Sequence, residues 1–317
     1  MLSVVIPAYN EEQMISKAAS VICGILTAEN IDFELLFIND GSKDNTWKEI
    51  CEASQKDSRV KGISFSKNFG KESAMFAGLA ESKGDCVVVI DCDLQHPPVK
   101  IVEMYRLWEQ GYEIVEGIKS SRGKESGIHA LAAKCFYSLI SHAANVDMSH
   151  ASDFKLLDRK AVNVLLNMPE KNAFFRALSS WIGFKSTQVE YNVQMREAGQ
   201  SKWSTKSLIK YAITNITSFT AVPMQIVTVL GIVMLLASLI LAIGALYQKI
   251  VGIALGGFTT VIILQCFTGS IVMISLGIIG YYISKVYDEV KGRPRYIVSD
   301  RTAELRKPHA GKNENLI

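Results

Sequence analysis

From Tyr211 to Ser284 the chain carries a single charged residue, Lys249. A soluble domain rarely spares so long a stretch of charge. Within it, Val222–Leu246 and Ala254–Ser284 each exceed the roughly 20 apolar residues needed to cross about 30 Å of hydrocarbon. Two transmembrane helices are therefore expected over 222–284, joined by a short loop near Gln248–Gly252. Lys202, Lys206 and Lys210 precede the first span, and Lys285, Lys291, Arg293 and Arg295 follow the second. By the positive-inside rule both ends face the cytoplasm, which makes the chain a multi-pass protein of the cell inner membrane. Ser204–Thr220 mixes Lys206 and Lys210 with Leu208, Ile209, Tyr211, Ile213 and Ile216, a pattern suited to an amphipathic helix at the interface.

The chain divides accordingly into a catalytic domain over 1–200, an interface segment over 201–221, two spans over 222–284 and a tail over 285–317. A net charge of +3 decides little, and no nucleic-acid partner is expected. The six cysteines include no C-x-x-C pair, which argues against zinc and fits a reducing compartment. The opening MLSVVIPAYNEE lacks a basic n-region, so no signal peptide is expected.

Short apolar runs alternate with amphipathic stretches through the first 120 residues. Leu2–Ile6, Phe33–Ile38, Val60–Phe65, Cys86–Ile90 and Ile114–Gly117 read as strands. Glu11–Leu26, Asn45–Ala53, Lys71–Ser82 and Pro98–Glu109 read as helices. This order predicts an α/β domain with a mostly parallel sheet, and continuous rather than alternating apolar strands predict that both its faces are covered. Further on, Ile128–Ala144 reads as a helix, and Phe154–Leu157 and Val189–Val193 as strands.

Three polar clusters fall at carboxyl ends of these strands, where an open α/β sheet binds its ligands. They are Pro7-Ala8-Tyr9-Asn10-Glu11-Glu12, Asn39-Asp40-Gly41-Ser42 and Asp91-Cys92-Asp93-Leu94-Gln95. The first is not G-x-G-x-x-G, so a Rossmann dinucleotide site is excluded there. An Asp-x-Asp pair alone is a weak signal, but this one directly follows an apolar strand and precedes His96-Pro97-Pro98. Two crowded carboxylates repel each other and call for a cation. Their hard oxygens suit Mg²⁺ or Mn²⁺ shared with substrate phosphates, with the Gln95 amide as a further donor.

These clusters, with Asn68-Phe69-Gly70-Lys71-Glu72, Ser152-Asp153-Phe154-Lys155, Arg196-Glu197-Ala198-Gly199-Gln200-Ser201-Lys202-Trp203 and Lys291-Gly292-Arg293-Pro294, occur in an order that resembles glycosyltransferase family 2. Within that family the chain is similar to the polyprenyl-phosphate group of bactoprenol glucosyltransferases and dolichol-phosphate mannose synthases. The resemblance covers residues 2–298. It implies a GT-A type nucleotide-sugar-binding domain and a metal-dependent, inverting transfer of a hexose (glucose, N-acetylglucosamine or mannose) from a nucleotide-sugar to polyprenyl (undecaprenyl) phosphate. A UDP-sugar is favoured as donor.

Position by position, the resemblance implies that Pro7, Tyr9 and Glu11 hold base and ribose and that Asp40 contacts the base. Asp91 and Asp93 bind diphosphate and metal, with Gln95 beside them, and Arg196 and Lys202 clamp the diphosphate. Asp93, Asp153 and Arg196 form the catalytic set. Where the family reads T-G-D-F-R, this chain has Ala151-Ser152-Asp153-Phe154-Lys155, which keeps Asp153 in register. Lys119, Arg122, Lys124 and Lys134 are the candidate cations for the acceptor phosphate. Asn68–Glu72 reads as a helix cap with no assigned chemistry. A homo-oligomer is compatible with the family, and a separate protein is expected to flip the product. Two other readings compete: a membrane-anchored transferase with a non-prenyl acceptor, and a non-catalytic membrane scaffold. A processive polysaccharide synthase is disfavoured, because it calls for more spans and a Q-x-x-R-W motif.

Overall fold

The computed structural model describes residues 1–120, 152–168, 174–192, 222–252 and 257–305. The chain forms two compact units, Met1–Leu208 with Pro294–Ile317, and Ile209–Arg293.

The first unit is an α/β domain around one eight-stranded sheet of order β7-β5-β6-β4-β1-β2-β3-β8. Its strands are β1 (Leu2–Ala8), β2 (Phe33–Asn39), β3 (Val60–Phe65), β4 (Cys86–Val89), β5 (Ile114–Lys119), β6 (Lys155–Asp158), β7 (Ser186–Tyr191) and β8 (Val298–Arg301). Its helices are α1 (Ile15–Ala28), α2 (Thr46–Lys56), α3 (Lys71–Glu81), α4 (Val99–Glu109), α5 (Arg159–Asn167) and α6 (Phe175–Trp181). Strands β1 to β4 pair in parallel, as do β5 and β7, whereas β6 runs antiparallel between β4 and β5. Every residue of β2 is buried, as expected for a strand covered on both faces. On one face Leu2, Val4, Ile6, Leu35 and Phe37 pack with Ile15, Ile22 and Leu26 of α1 and with Ile101 and Met104 of α4. On the other face α3 lies close against the sheet. A Cβ on Gly78 would collide with the Val5 side chain, so only glycine lets this helix sit so near β1. Six consecutive residues of α3, Ala74–Leu79, are buried.

Two placements were not evident from periodicity. Because β6 is antiparallel, its amino end lies at the same edge as the carboxyl ends of β4 and β5. And the described residues of the tail expected over 285–317 do not all stand apart from the sheet. Val298–Arg301 joins it as an antiparallel edge strand on β3. The helix expected over Ile128–Ala144 and the interface helix over Ser204–Thr220 lie outside the described residues.

The second unit contains α7 (Val222–Ile250) and α8 (Phe258–Val290). Met224–Gln248 and Phe267–Val290 are long and apolar enough to cross a membrane. Large apolar side chains along both helices, Leu235, Ile240, Val272 and Met273 among them, are exposed, as lipid-facing residues would be.

Candidate active site

The loops after β1 and β2 are fastened to each other. Asn10 N donates to Ser42 Oγ at 2.9 Å, and Lys43 N donates to Asn10 Oδ1 at 2.9 Å. Glu11 N reaches Thr46 Oγ1 at 2.8 Å, and Asn45 N reaches Glu12 Oε2 at 2.9 Å. Asn10 takes a left-handed φ of 53°, which asparagine tolerates better than most residues. Pro7, Tyr9 and Glu11 therefore sit on a braced ledge at the carboxyl edge of the sheet.

Asp40 is buried, with 3% exposure. Its Oδ1 accepts from Phe69 N at 2.6 Å, and its Oδ2 accepts from Asn68 Nδ2 and Gly70 N, each at 2.9 Å. Burial pushes its carboxyl up to about 6, against the pull of the backbone donors of Phe69 and Gly70. Base contact is the role that the resemblance implies for Asp40, but these bonds make it the tether of the 68–70 loop. The two loops touch so closely that a Cβ on Gly41 would overlap the Lys67 backbone.

Asp91 and Asp153 meet through strand register. The β4–β6 ladder pairs Val89 with Lys155, and two further residues along each strand bring Asp91 opposite Asp153. Facing carboxylates are unfavourable unless a cation joins them. That cation is Lys71, the first residue of α3, whose Nζ lies 2.6 Å from Asp91 Oδ1 and 2.8 Å from Asp153 Oδ2. Arg176 adds a two-pronged grip, with Nε 2.7 Å from Asp153 Oδ1 and the second guanidinium nitrogen 2.8 Å from Oδ2. Burial alone would raise the Asp153 carboxyl, but Lys71 and Arg176 hold it well below the usual range. Asp91 is lowered as well: burial opposes the shift, and Lys71 and His96 outweigh it. Burial likewise works against the Lys71 ammonium, yet Asp153 and Asp91 raise its pKa.

Asp93 is buried, and its Oδ1 accepts from Gln95 N at 3.2 Å. The turn between them holds Leu94 at a φ of 56°, a left-handed conformation that costs a non-glycine residue roughly 1–2 kcal/mol. Strain of this kind collects at ligand-binding loops. Below the turn His96 stacks on Phe154, with ring centres 5.1 Å apart, and Tyr191 meets both rings edge-on. Lys119 lies exposed at the same edge, at the end of β5. Arg122, Lys124, Lys134, Arg196 and Lys202 lie outside the described residues.

Sequence reasoning passed over Lys71, Glu72 and Arg176. Lys155, which stands where the family pattern has Arg, is fully buried; its Nζ pairs with Glu116 at 2.9 Å and donates to Ser179 Oγ at 2.9 Å. It braces β6 from behind Asp153. Glu72 accepts from Phe175 N at 2.9 Å, beside Arg176. Burial and the Asp153 charge push its carboxyl up to about 7.

A pH dependence follows. Between about 4.5 and 7 the folded chain keeps a proton on Glu72 that the unfolded chain has released, so stability falls as pH rises through this window. In Glu72→Gln the amide oxygen still accepts from Phe175, while the titration is gone. Its melting temperature should decline less than that of the wild type between pH 5 and 8. Parallel declines would remove Glu72 as the source.

The family model for glycosyl transferase family 2 matches residues 3–166. An uncharacterized glycosyltransferase of Synechocystis is 38% identical over 94% of this chain and 95% of its own length. A prophage bactoprenol glucosyl transferase homolog of Escherichia coli is 35% identical over 94% of this chain and 98% of its own. The bactoprenol glucosyl transferase of Shigella phage SfX is 33% identical over 95% and 99%. With its mostly parallel sheet of GT-A type and its acidic pair at the carboxyl edge, this chain is a glycosyltransferase of family 2, in the group of the bactoprenol glucosyl transferases.

Proposed function

We propose that the protein transfers a hexose from a UDP-sugar to undecaprenyl phosphate, with inversion at the anomeric carbon. The observation that carries this reading is the facing pair Asp91 and Asp153, bridged by Lys71 and gripped by Arg176, in a chain with two membrane-length helices. Relatives named bactoprenol glucosyl transferases, 33–35% identical over nearly the whole chain, support a lipid-phosphate acceptor and favour glucose. The lysines and arginines flanking the spans support a cytoplasmic catalytic unit in the inner membrane.

The donor set fits a hard divalent cation. Asp91 is held ionised, and Asp93 lies two residues on, so two hard carboxylate donors follow the end of β4. One or two carboxylates, with the remaining positions left to phosphate oxygens, is the usual arrangement for Mg²⁺. Asp91, Asp93 and the Gln95 side chain would hold it. When bound, Mg²⁺ or Mn²⁺ supplies positive charge that stabilises the departing nucleoside diphosphate.

Asp153 is not the base in this scheme. A carboxylate held far below the usual range is a weak proton acceptor. None is needed, because a phosphate ester with a second pKa near 6 is already largely dianionic at pH 7. The acceptor oxygen attacks from the face opposite the nucleotide. Asp153 holds Lys71 and Arg176 at the strand edge, where they would supply positive charge to the acceptor phosphate. By the family resemblance, Arg196 and Lys202 would supply positive charge to the departing diphosphate.

The test supplies the purified full chain with labelled nucleotide-sugars and undecaprenyl phosphate. One donor should give a single labelled lipid phosphate. Transfer to a soluble acceptor, with none to the lipid, would select the competing reading of a non-prenyl acceptor.

A further inference from the structure

The segment that follows α8 in sequence does more than cover an exposed sheet edge. Tyr296 stacks on Phe65 at the end of β3, ring centres 5.0 Å apart and planes within 14°. Phe65 in turn meets Phe69, whose backbone N–H is one of the donors to Asp40. Ser66 N donates to Ile297 O at 3.0 Å, at the start of the same loop. Arg295 lies over the ring of Phe76, in the middle of α3, at 4.6 Å, and donates to Met168 O at 3.0 Å. Arg301 pairs with Glu81, the last residue of α3, at 2.7 Å. Thr302 closes the segment, with its N–H 3.0 Å from Gly62 O and its Oγ1 accepting from Gly62 N.

Edge protection alone explains β8 and Thr302, since an unpaired strand invites association with other chains. It does not explain Arg295 and Arg301, which leave the edge to grip a helix on the face of the sheet. The consequence lies at the opposite end of that helix, where Lys71 joins Asp91 to Asp153. Phe76 also meets Phe175 edge-on, at 6.3 Å, and Phe175 adjoins the Asp153-binding Arg176. The segment thus touches both helices that bring cations to Asp153, one directly and one through Phe76.

We propose that Pro294–Thr302 is a positioning strap: Arg295, Tyr296 and Arg301 set the placement of α3, so that Lys71 stays lodged between Asp91 and Asp153. None of the three touches substrate. The proposal rests on the transferase reading only for its effect on turnover. Its structural content, the lodging of Lys71, is separate.

The experiment uses the full-length protein in lipid nanodiscs. Acetylation of Lys71 is followed by mass spectrometry in EDTA, with the exposed Lys48 as internal reference. In Arg295→Ala and Tyr296→Ala, Lys71 should react about fivefold faster relative to Lys48, the factor expected when about 1 kcal/mol of local restraint is lost. The kcat of both variants should fall about tenfold with donor KM within about twofold of wild type, because placement rather than substrate binding is disturbed. Tyr296→Phe keeps the stack and should restore both readouts. Should either alanine variant misfold, Arg301→Gln, which removes one ion pair at the far end of α3, serves instead. An unchanged Lys71 rate in the folded variants overturns the strap. So does a kcat loss that only tracks the folded fraction. A wild-type protein that makes no glycolipid overturns the proposed function, while the acetylation rates still decide the strap.

Discussion

Replacing Asp91 and Asp93 together with Asn is expected to abolish glycolipid synthesis, with kcat falling by about 10³-fold or more. Asparagine keeps the size of each side chain and one acceptor oxygen but removes the negative charge. At position 93 the remaining oxygen can still accept from Gln95 N, so the turn that holds Leu94 at positive φ survives. At position 91 the change deprives Lys71 of one carboxylate and leaves it the other, Asp153. The fold should therefore persist, and the defect should be chemical. Calorimetric titration with Mn²⁺ and UDP, alongside single-turnover kinetics, separates the two. The double variant should lose cation-dependent nucleotide binding while its melting temperature moves by only a few degrees. Turnover at the wild-type rate would remove the acidic pair from the mechanism.

The parts of this site that sequence made legible are those encoded locally. A run such as Phe33–Asn39 is apolar throughout because both faces of its strand are covered, and its polar end marks the ligand edge. The strands β1, β2 and β4, and with them Tyr9, Asp40 and Asp91, follow from that pattern. The meeting of Asp91 with Asp153 does not. It depends on β6 running antiparallel and on a register that pairs Val89 with Lys155, residues far apart in the chain. Arg176 comes from a short segment, Phe175–Trp181, with no cationic pattern of its own. Lys71 stood inside a recognised motif, yet its neighbours Gly70 and Glu72 read equally well as a helix start, so the local signal could not separate a cap from a grip. The edge strand β8 was hidden for a third reason. Three of its four residues, VSDR, are polar, the strand is partly exposed, and its partner strand lies more than two hundred residues earlier. Short polar edges carry no periodicity to read.

Lys71→Ala should separate a cation that serves the site from one that merely caps a helix. Asp91 and Asp153 lie opposite each other, and Asp153 is 6% exposed. Without the ammonium, two like charges confront each other, offset by Arg176 at Asp153 and by His96 near Asp91. Breaking a fully buried pair costs about 3–5 kcal/mol. Because the Lys71 side chain is 37% exposed, solvent screening reduces the expected loss to about 1–3 kcal/mol. The sign of its pH dependence is fixed. Both carboxyls are lowered in the folded chain, so the stability they contribute is present above the ordinary carboxylate range, near 4, and is lost as pH falls through their folded values. Removing Lys71 raises both, so the gap between wild type and variant should be widest at neutral pH and close as the solution is acidified. The kcat should drop about 10²-fold, the scale associated with one misplaced or missing electrostatic group. Lys71→Arg keeps the charge on a longer planar head, and should recover most of the stability but only part of the rate. Thermal melts at pH 7 and pH 4, set beside initial rates, check each element. A stability gap that widened in acid, or a Lys71→Ala enzyme with wild-type kcat, would show that the carboxylates do not depend on this lysine. The grip of α3 on the two strand tips would then be a packing contact and nothing more.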